Sequence, residues 1–172
     1  MRVLPALFLG LAACAIGLPT AASAQGEIVR LKRNPAAIIL EAARVNAGAD
    51  TVYVSGQLAS PIDPAMPMSA VDSYEDLGDT AAQTLNILGK IEEILATQGF
   101  TMSDVVKLNV FIAADPRTGM MDFASMNTAF RAYFGTEANP ETTARSTFEV
   151  AALVGPHFLI EIDAVAARAP AP

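Results

Sequence analysis

The chain has 172 residues and carries 18 acidic against 11 basic side chains, a formal net charge of −7 at neutral pH. This acidity argues against a nucleic-acid binder, because neutralisation of phosphates supplies most non-specific affinity for DNA or RNA. The length is that of one domain with a single core, and the sequence contains no repeat and no low-complexity tract.

The first 24 residues have the features of a secretory signal peptide. Arg2 provides a short positive segment, residues 3–18 are mostly apolar, and Ala22-Ser23-Ala24 is a small-x-small cleavage site. The apolar run is too short for a comfortable transmembrane helix, which needs roughly 20 apolar residues. We expect cleavage after Ala24, export to the periplasm and no membrane span.

An alternative processing site lies within the same segment. Residues 11–14 read LAAC, which resembles a bacterial lipobox with Cys14 as the lipidated residue. Cleavage after Ala24 is favoured and would leave a mature chain of roughly 148 residues, with 10 basic and 18 acidic side chains and a net charge of −8. Cys14 is the only cysteine, so this mature chain could form no disulfide and no cysteine metal site.

The first elements of the mature chain are predicted to be strands. Residues 38–45 read as a strand, 46–50 as a turn and 51–55 as an antiparallel partner. The stretch 58–72 contains Pro61, Pro64 and Pro67, which exclude a central strand or a helix interior. We therefore expect a long surface loop there.

Two helices are predicted in the central part of the chain, with a strand over 105–113 between them. Asp72 or Ser73 would cap the first helix and Gly99 would end it, and Gly135 would end the second. Apolar side chains recur at spacings of three and four along both helices. They are Leu77, Ala81, Leu85, Leu88, Ile91 and Leu95 in the first, and Phe123, Met126, Phe130 and Tyr133 in the second.

The last two strands are predicted to form a hairpin. Residues 142–150 and 158–165 alternate in period two, and Gly155-Pro156 between them is a turn signal. The element order is then ββαβαββ, an α+β fold with an antiparallel or mixed sheet and two helices on one face. We expect one domain over residues 25–168 and a disordered tail over 169–172.

This hairpin carries the candidate site. The planar guanidinium of Arg145 can bind a carboxylate through two parallel hydrogen bonds, although a structural ion pair with Glu149 or Glu161 is the alternative. Glu161 stands between Ile160 and Ile162 and should therefore face the opposite side of the sheet. Asp163 lies on the same face as Glu161. A cation and a carboxylate on rigid strands can grip an anionic substrate and orient water.

Five segments, in order and at similar spacings, resemble the RidA (YjgF) family of reactive imine/enamine deaminases. They are residues 53–57 (YVSGQ), 104–111 (DVVKLNVF), 123–127 (FASMN), 144–146 (ARS) and 160–162 (IEI). The resemblance covers about residues 35–167. It implies a chorismate-mutase-like fold, assembled as a homotrimer around a central barrel of sheets, with ligand clefts between subunits.

The resemblance also implies the roles of individual residues. Arg145 would bind the substrate carboxylate, Glu161 would orient or activate the hydrolytic water with Asp163 as the alternative, and Ser55 and Gly56 would complete the cleft. Asn127 would be a further residue of the cleft, with a structural tie inside the second helix as the equal alternative. The reaction implied is the hydrolysis of small 2-imino acids to 2-oxo acids and ammonia, with no cofactor and no metal.

One departure from the family pattern motivates a second hypothesis. The family's best-studied deaminases carry a cleft tyrosine in the first strand, whereas residues 40–44 contain no aromatic side chain and Ala42 is the nearest equivalent. A non-catalytic protein that binds small carboxylates or metabolites in the same cleft is therefore the alternative function.

Other residues that could bind metals have simpler explanations. His157 is the only histidine and has no companion ligand, so we expect an exposed turn residue. Thioether sulfur suits Cu(I), but core packing is favoured for the methionines. These are Met66, Met68, Met120, Met121 and Met126.

Overall fold

The computed structural model describes residues 26–170. The predicted signal peptide, with Cys14, and the last two residues of the predicted tail lie outside the described residues. Ala169 and Pro170 follow the last strand and are exposed.

The described residues form a mixed sheet with two α-helices. The elements are β1 (Ile28–Leu31), β2 (Ala42–Val45), β3 (Asp50–Leu58), α1 (Thr80–Thr97), β4 (Val105–Ala113), α2 (Phe123–Phe130), β5 (Ala144–Val150) and β6 (Ile160–Arg168). Four strands form one sheet in the order β3-β6-β4-β5, in which β4 and β5 are parallel and the other pairs antiparallel. β1 and β2 form a separate antiparallel ribbon. The predicted α+β class with a mixed sheet is confirmed.

The core lies between one face of this sheet and the helices. Leu108, Val110 and Ile112 of β4 are buried on that face, as are Ile160 and Ile162 of β6. They pack in one cluster with Ile87, Leu88, Ile91 and Leu95 of α1 and with Met126 and Phe130 of α2. The opposite face, which we call the open face, is left without a covering element within residues 26–170.

The first helix begins later than predicted. Its N-cap is Asp79, whose side chain accepts a hydrogen bond from the backbone N–H of Ala82 at 2.8 Å. Asp76 instead stabilises a turn by accepting from the backbone N–H groups of Asp72 and Ser73, and Gly78 follows with a φ of 84°. Leu77 is buried although it lies outside the helix, and Leu85 is exposed.

The predicted end of α1 is confirmed. Gly99 adopts a φ of 73°, donates to the carbonyl of Ala96, and is followed by Phe100, which donates to the carbonyl of Leu95. This is the Schellman motif, in which a residue with positive φ satisfies the last carbonyls of a helix.

The second helix is shorter than predicted. It starts at its cap Asp122, which accepts from the backbone N–H of Ser125 at 2.9 Å, and turns continue after it to Gly135. Met120 is 67% exposed in the preceding turn, so it does not serve the core packing that we expected.

The predicted hairpin of the last two strands is wrong. β4 lies between β5 and β6, so the two strands that carry Arg145 and Glu161 are not neighbours. The long connection over residues 151–159 allows β6 to take a central position, where its alternate residues from Ile160 to Ala166 are buried against the helices. The more polar β5 occupies an edge of the sheet, as charged strands commonly do.

The first predicted strand pair is also wrong. β2 pairs with β1, which the sequence analysis did not identify, and β3 pairs with β6. The observed order is therefore βββαβαββ. Leu40, just before β2, forms a parallel bridge with Ala144, so the segment before β2 runs beside the start of β5. The loop expected over 58–72 is present after β3, with one short 3-10 turn at Met68–Ala70.

Candidate functional site

Arg145 lies on the helix side of the sheet. It is in register with Leu108 of the neighbouring parallel strand, whose side chain is fully buried towards the helices. The guanidinium of Arg145 consequently reaches α2, where it contacts Asn127 and Phe130.

Side chains of α2 hold the guanidinium in a fixed position. One terminal nitrogen donates to Oδ1 of Asn127 at 2.6 Å, and the other lies 3.6 Å from the sulfur of Met126. The group stacks over the ring of Phe130 at 4.4 Å and lies 5.8 Å from the ring centre of Phe123. Such cation–π contacts favour a flat and well-defined orientation.

The charge of Arg145 is not neutralised by the protein within residues 26–170. The ion pairs there join Arg30 to Glu141, Arg33 to Glu41 and Arg117 to Asp115. The structural pair of Arg145 with Glu149 or Glu161 is therefore absent from this part of the chain. Burial, and secondarily the charge of Arg131, lower the pKa of Arg145 to about 10, so the group remains cationic at neutral pH.

Glu161 lies on the open face, as the alternation of β6 predicted. Its carboxylate covers Gly56, since a Cβ at position 56 would collide with Oε1 of Glu161 and lie 2.9 Å from its Cδ. No hydrogen bond to the Glu161 side chain is present within the described residues, which leaves both oxygens available to a water or a ligand.

Ser55 and Gly56 form a bulge in β3. The register with β6 passes from Val54–Ala164 to Gln57–Ile162, so the two bulge residues stand opposite Asp163 alone. A pocket of about 420 Å³ on the open face is lined by this bulge together with Asn109 and Asp163. Ser55 is exposed at this pocket.

The two candidate carboxylates differ in their partners. Asp163 accepts hydrogen bonds from Nδ2 of Asn109 at 3.0 and 3.3 Å, so a residue of the neighbouring strand already fixes the orientation of its carboxylate. Glu161 has no such partner among the described residues. Of the two, Glu161 is the better placed to orient a water.

The predicted site residues fall into two groups within one chain. Arg145 and Asn127 are together on the helix side, and Ser55, Gly56 and Glu161 are together on the open face. On β4, Leu108 is the neighbour of Arg145 and Phe111 is the neighbour of Glu161. Because Leu108 and Phe111 are three residues apart, the side chains of Arg145 and Glu161 point to opposite faces of the sheet. A single chain does not bring Arg145 and Glu161 into one site.

Sequence analysis missed the aromatic support of Arg145 and the environment of His157. Phe123 and Phe130 were assigned to the core face of a helix. Only their positions, four residues before and three residues after Asn127, indicated a surface shared with Asn127. His157 is not the exposed turn residue expected. Its ring packs edge-on against Tyr74 at 5.1 Å, and its Nδ1 is enclosed without a partner among the described residues.

Neither a metal cluster nor a membrane-crossing helix is found in the described part of the chain. No three side chains of His, Cys, Asp or Glu approach each other closely enough there to hold a metal ion. No helix in that part is long and apolar enough to cross a membrane.

Comparison with known proteins identifies relatives along most of the chain. A family model described as Endoribonuclease L-PSP matches residues 33–168. A RutC family protein of Haemophilus influenzae is 32% identical over 145 residues, which cover 83% of this chain and 97% of that protein. The 3-aminoacrylate deaminase RutC of Acinetobacter baylyi is 33% identical over 115 residues, which cover 67% of this chain and 77% of the relative.

Solved structures show the same fold. The YjgF gene product of E. coli is 34% identical with a TM-score of 0.52, covering 69% of this chain and 81% of that one. The Rid family protein YyfB of Yersinia pestis is 27% identical with a TM-score of 0.57, covering 75% of this chain and 86% of that one. The chain therefore belongs to the RidA/YjgF family, whose curated members include the RutC proteins.

Proposed function

We propose that this protein hydrolyses small reactive imines and enamines, the 2-imino acids, to 2-oxo acids and ammonia. The observation that carries the proposal is the half-buried guanidinium of Arg145, held by Asn127 and Phe130 without a carboxylate partner within residues 26–170. A cation taken out of water and left unpaired lowers stability, so its presence favours an anionic ligand. The deaminase name of one relative supports the same chemistry at the level of the family.

The proposed reaction needs few protein groups. Arg145 binds the carboxylate of the protonated imine, whose carbon is already electrophilic. Glu161 accepts a proton from a water that adds to this carbon, and the proton then passes to the amino group. The C–N bond then breaks as the new hydroxyl group loses its proton, so that the protonated imine and water give a 2-oxo acid and ammonium, with no cofactor in the balance.

We propose further that the active unit is a homotrimer with sites between subunits. The support is the separation of the two residue groups in one chain, since a second copy could place its Glu161 and Gly56 opposite Arg145. The open face also exposes apolar side chains, with Tyr53 80% and Phe148 48% exposed, as expected of a surface that is covered in an assembly.

A non-catalytic binder of small carboxylates is the second candidate. It is favoured by residues 40–44, in which Glu41 forms an exposed ion pair with Arg33 at 2.7 Å and no aromatic ring is available to line a cleft. Ribonuclease activity is not supported, because the net charge of −8 expected after cleavage opposes binding of a polyanion.

Substitution of Arg145 tests the leading proposal. Imines generated by an amino-acid oxidase should be converted to 2-oxo acids faster in the presence of the purified protein. Both Arg145→Ala and Arg145→Lys should lose about 2 to 5 kcal/mol of binding or transition-state stabilisation, since lysine replaces a planar fork by a point charge.

Thermal melts of the same variants provide the control. Melting close to the wild type is expected if Arg145 serves a ligand. Variants that melt far below it while their folded fraction still binds carboxylates would show a structural residue. Carboxylate binding by the wild type without turnover would favour the non-catalytic alternative.

We propose that the protein is exported to the periplasm with cleavage after Ala24. The support is the leader pattern of residues 1–24 alone. Mass spectrometry of the protein recovered from a bacterial envelope fraction should find Gln25 as the first residue. A lipidated Cys14 at the N-terminus would establish the alternative, and a chain that retains Met1 in the cytoplasmic fraction would contradict both.

A further inference from the structure

A positively charged pocket lies at the C-terminal end of α2, the helix whose Asn127 orients Arg145. It has a volume of about 350 Å³ and lies between residues 35–38, the turns after α2, and residues 140–142. Its charged lining side chains are Lys32 and Arg131, with no acidic side chain, and Phe134 and Ile38 contribute apolar walls. Leu40, two residues after the pocket-lining Ile38, bridges Ala144, the residue before Arg145.

Arg131 is one helical turn beyond Asn127, the residue that orients Arg145. Its backbone N–H donates to the carbonyl of Asn127 at 3.2 Å, so the two side chains project from the same face, roughly 5–6 Å apart at their Cβ atoms. The positive charge of Arg131 reaches Arg145, because it is the second cause, after burial, of the lowered pKa of that guanidinium. The two arginines therefore repel each other in the unliganded chain.

The nearby carboxylates do not relieve this repulsion. Glu141 pairs with Arg30, Glu41 pairs with Arg33, and no ion pair of Arg131 or Lys32 is present within residues 26–170. Arg131 also caps the C-terminus of α2, where the helix carbonyls carry partial negative charge and disfavour an anion. The positive charge of Arg131 offsets this partial negative charge and so favours an anion at this end of α2.

Resting on the deaminase function proposed above, we propose that Arg131, assisted by Lys32, binds a second carboxylate of the substrate, so that the site selects 2-imino dicarboxylic acids over monocarboxylic ones. The first carboxylate lies on Arg145 and the second on Arg131, which is one helical turn beyond the Asn127 that orients Arg145. Imines of glutamate and aspartate, with five and four carbons, are the simplest substrates that carry both carboxylates. A dianion relieves the repulsion between the two arginines, whereas a monoanion leaves Arg131 without a counter-ion.

Paired substrates and one substitution test the proposal. Imines are generated in situ from glutamate or aspartate and from alanine or leucine by the appropriate amino-acid oxidases, and formation of 2-oxo acids is followed. Wild-type kcat/KM should be higher for the dicarboxylic imines. Arg131→Gln should lower it about tenfold, the usual order for one charge-assisted hydrogen bond, with little change for the monocarboxylic imines.

Arg117→Gln is the matched control, because it removes the same charge beside Asp115, beyond the far end of β4. It should leave the ratio of the two kcat/KM values unchanged. A wild type without preference, or an Arg131→Gln variant that loses activity equally on both substrate classes, would overturn the proposal and leave the deaminase function standing.

A binding experiment tests the second anion position if the protein has no deaminase activity. If the wild type accelerates hydrolysis of no imine, calorimetry with 2-oxoglutarate and 2-oxobutanoate replaces the kinetic comparison. Binding of 2-oxoglutarate about tenfold tighter than 2-oxobutanoate, lost in Arg131→Gln, supports the second anion position in a binding protein. Equal affinities in both proteins would overturn it.

Discussion

The side chain of Glu161 occupies the space that a Cβ atom at position 56 would fill, so its position depends on Gly56. Alternation along β6 predicted that Glu161 would face away from Ile160 and Ile162, and this is confirmed. The contact with Gly56 could not be predicted, because it depends on a bulge that places two residues of β3 opposite one residue of β6. A glycine in a strand often marks such a close approach.

Gly56→Ala should displace the carboxylate of Glu161 and lower kcat on the order of 10²-fold, as misplacement of a reacting group by about 1 Å can do. KM should change little, because Arg145 holds the substrate carboxylate. The backbone of Gly56 is outside the left-handed region, so alanine adds no conformational strain there. Steady-state kinetics on imine substrates, combined with thermal melts, measure these effects.

Gly89→Ala is the matched control for this substitution. Gly89 lies inside α1, where the nearest atom to an added Cβ is the hydroxyl oxygen of Tyr133 at 3.4 Å, and alanine is favoured in a helix by roughly 1 kcal/mol. Its kcat should equal that of the wild type. An unchanged kcat in Gly56→Ala would show that the position of Glu161 does not govern the reaction.

At the scale of elements, periodicity predicted the identity of most helices and strands but not their pairing. Apolar spacing and Gly99 were sufficient to predict the buried face and the end of α1, because both signals are local. Its start was misplaced, since Leu77 would be buried in the predicted helix and is also buried in the turn that Asp76 stabilises. A hydrophobic pattern reports burial, and it cannot distinguish two backbone conformations that bury the same side chain.

The position of β4 between β5 and β6 could not be predicted from the order of the strands along the chain, in which β5 and β6 are consecutive. The local signals of a Gly-Pro turn favoured a hairpin, whereas the observed order depends on how well β6 fills the centre of the sheet against the helices. This order moves Arg145 and Glu161 apart and directs them to opposite faces. The residue types of the candidate site were therefore predictable, but their separation within one chain was not.

At the scale of the whole molecule, helices cover one face of the sheet, and no element within residues 26–170 covers the open face. The open face carries Phe111 and Phe148, whose rings stack with centres 5.8 Å apart, beside the exposed Tyr53. It also carries the polar pairs Lys107–Ser146 and Asn109–Asp163. A surface with this mixture of aromatic and polar groups resembles the interior of an interface.

Complementation between inactive subunits tests the proposed trimer and its shared site together. Arg145→Ala and Glu161→Gln should each abolish most activity as pure proteins. When the two variants, with different affinity tags, are expressed in the same cells, mixed trimers should recover activity. Random assembly in a closed ring gives about a quarter of the sites an intact Arg145 from one subunit and an intact Glu161 from the next.

The double variant Arg145→Ala/Glu161→Gln co-expressed with the Glu161→Gln variant is the control, because no combination of these chains provides an intact Glu161. Light scattering of every preparation should give the mass of three chains, since an open aromatic face is unfavourable in water. Mixed oligomers without recovered activity would contradict a site that combines Arg145 of one subunit with Glu161 of another, and so would a monomer mass for the wild type.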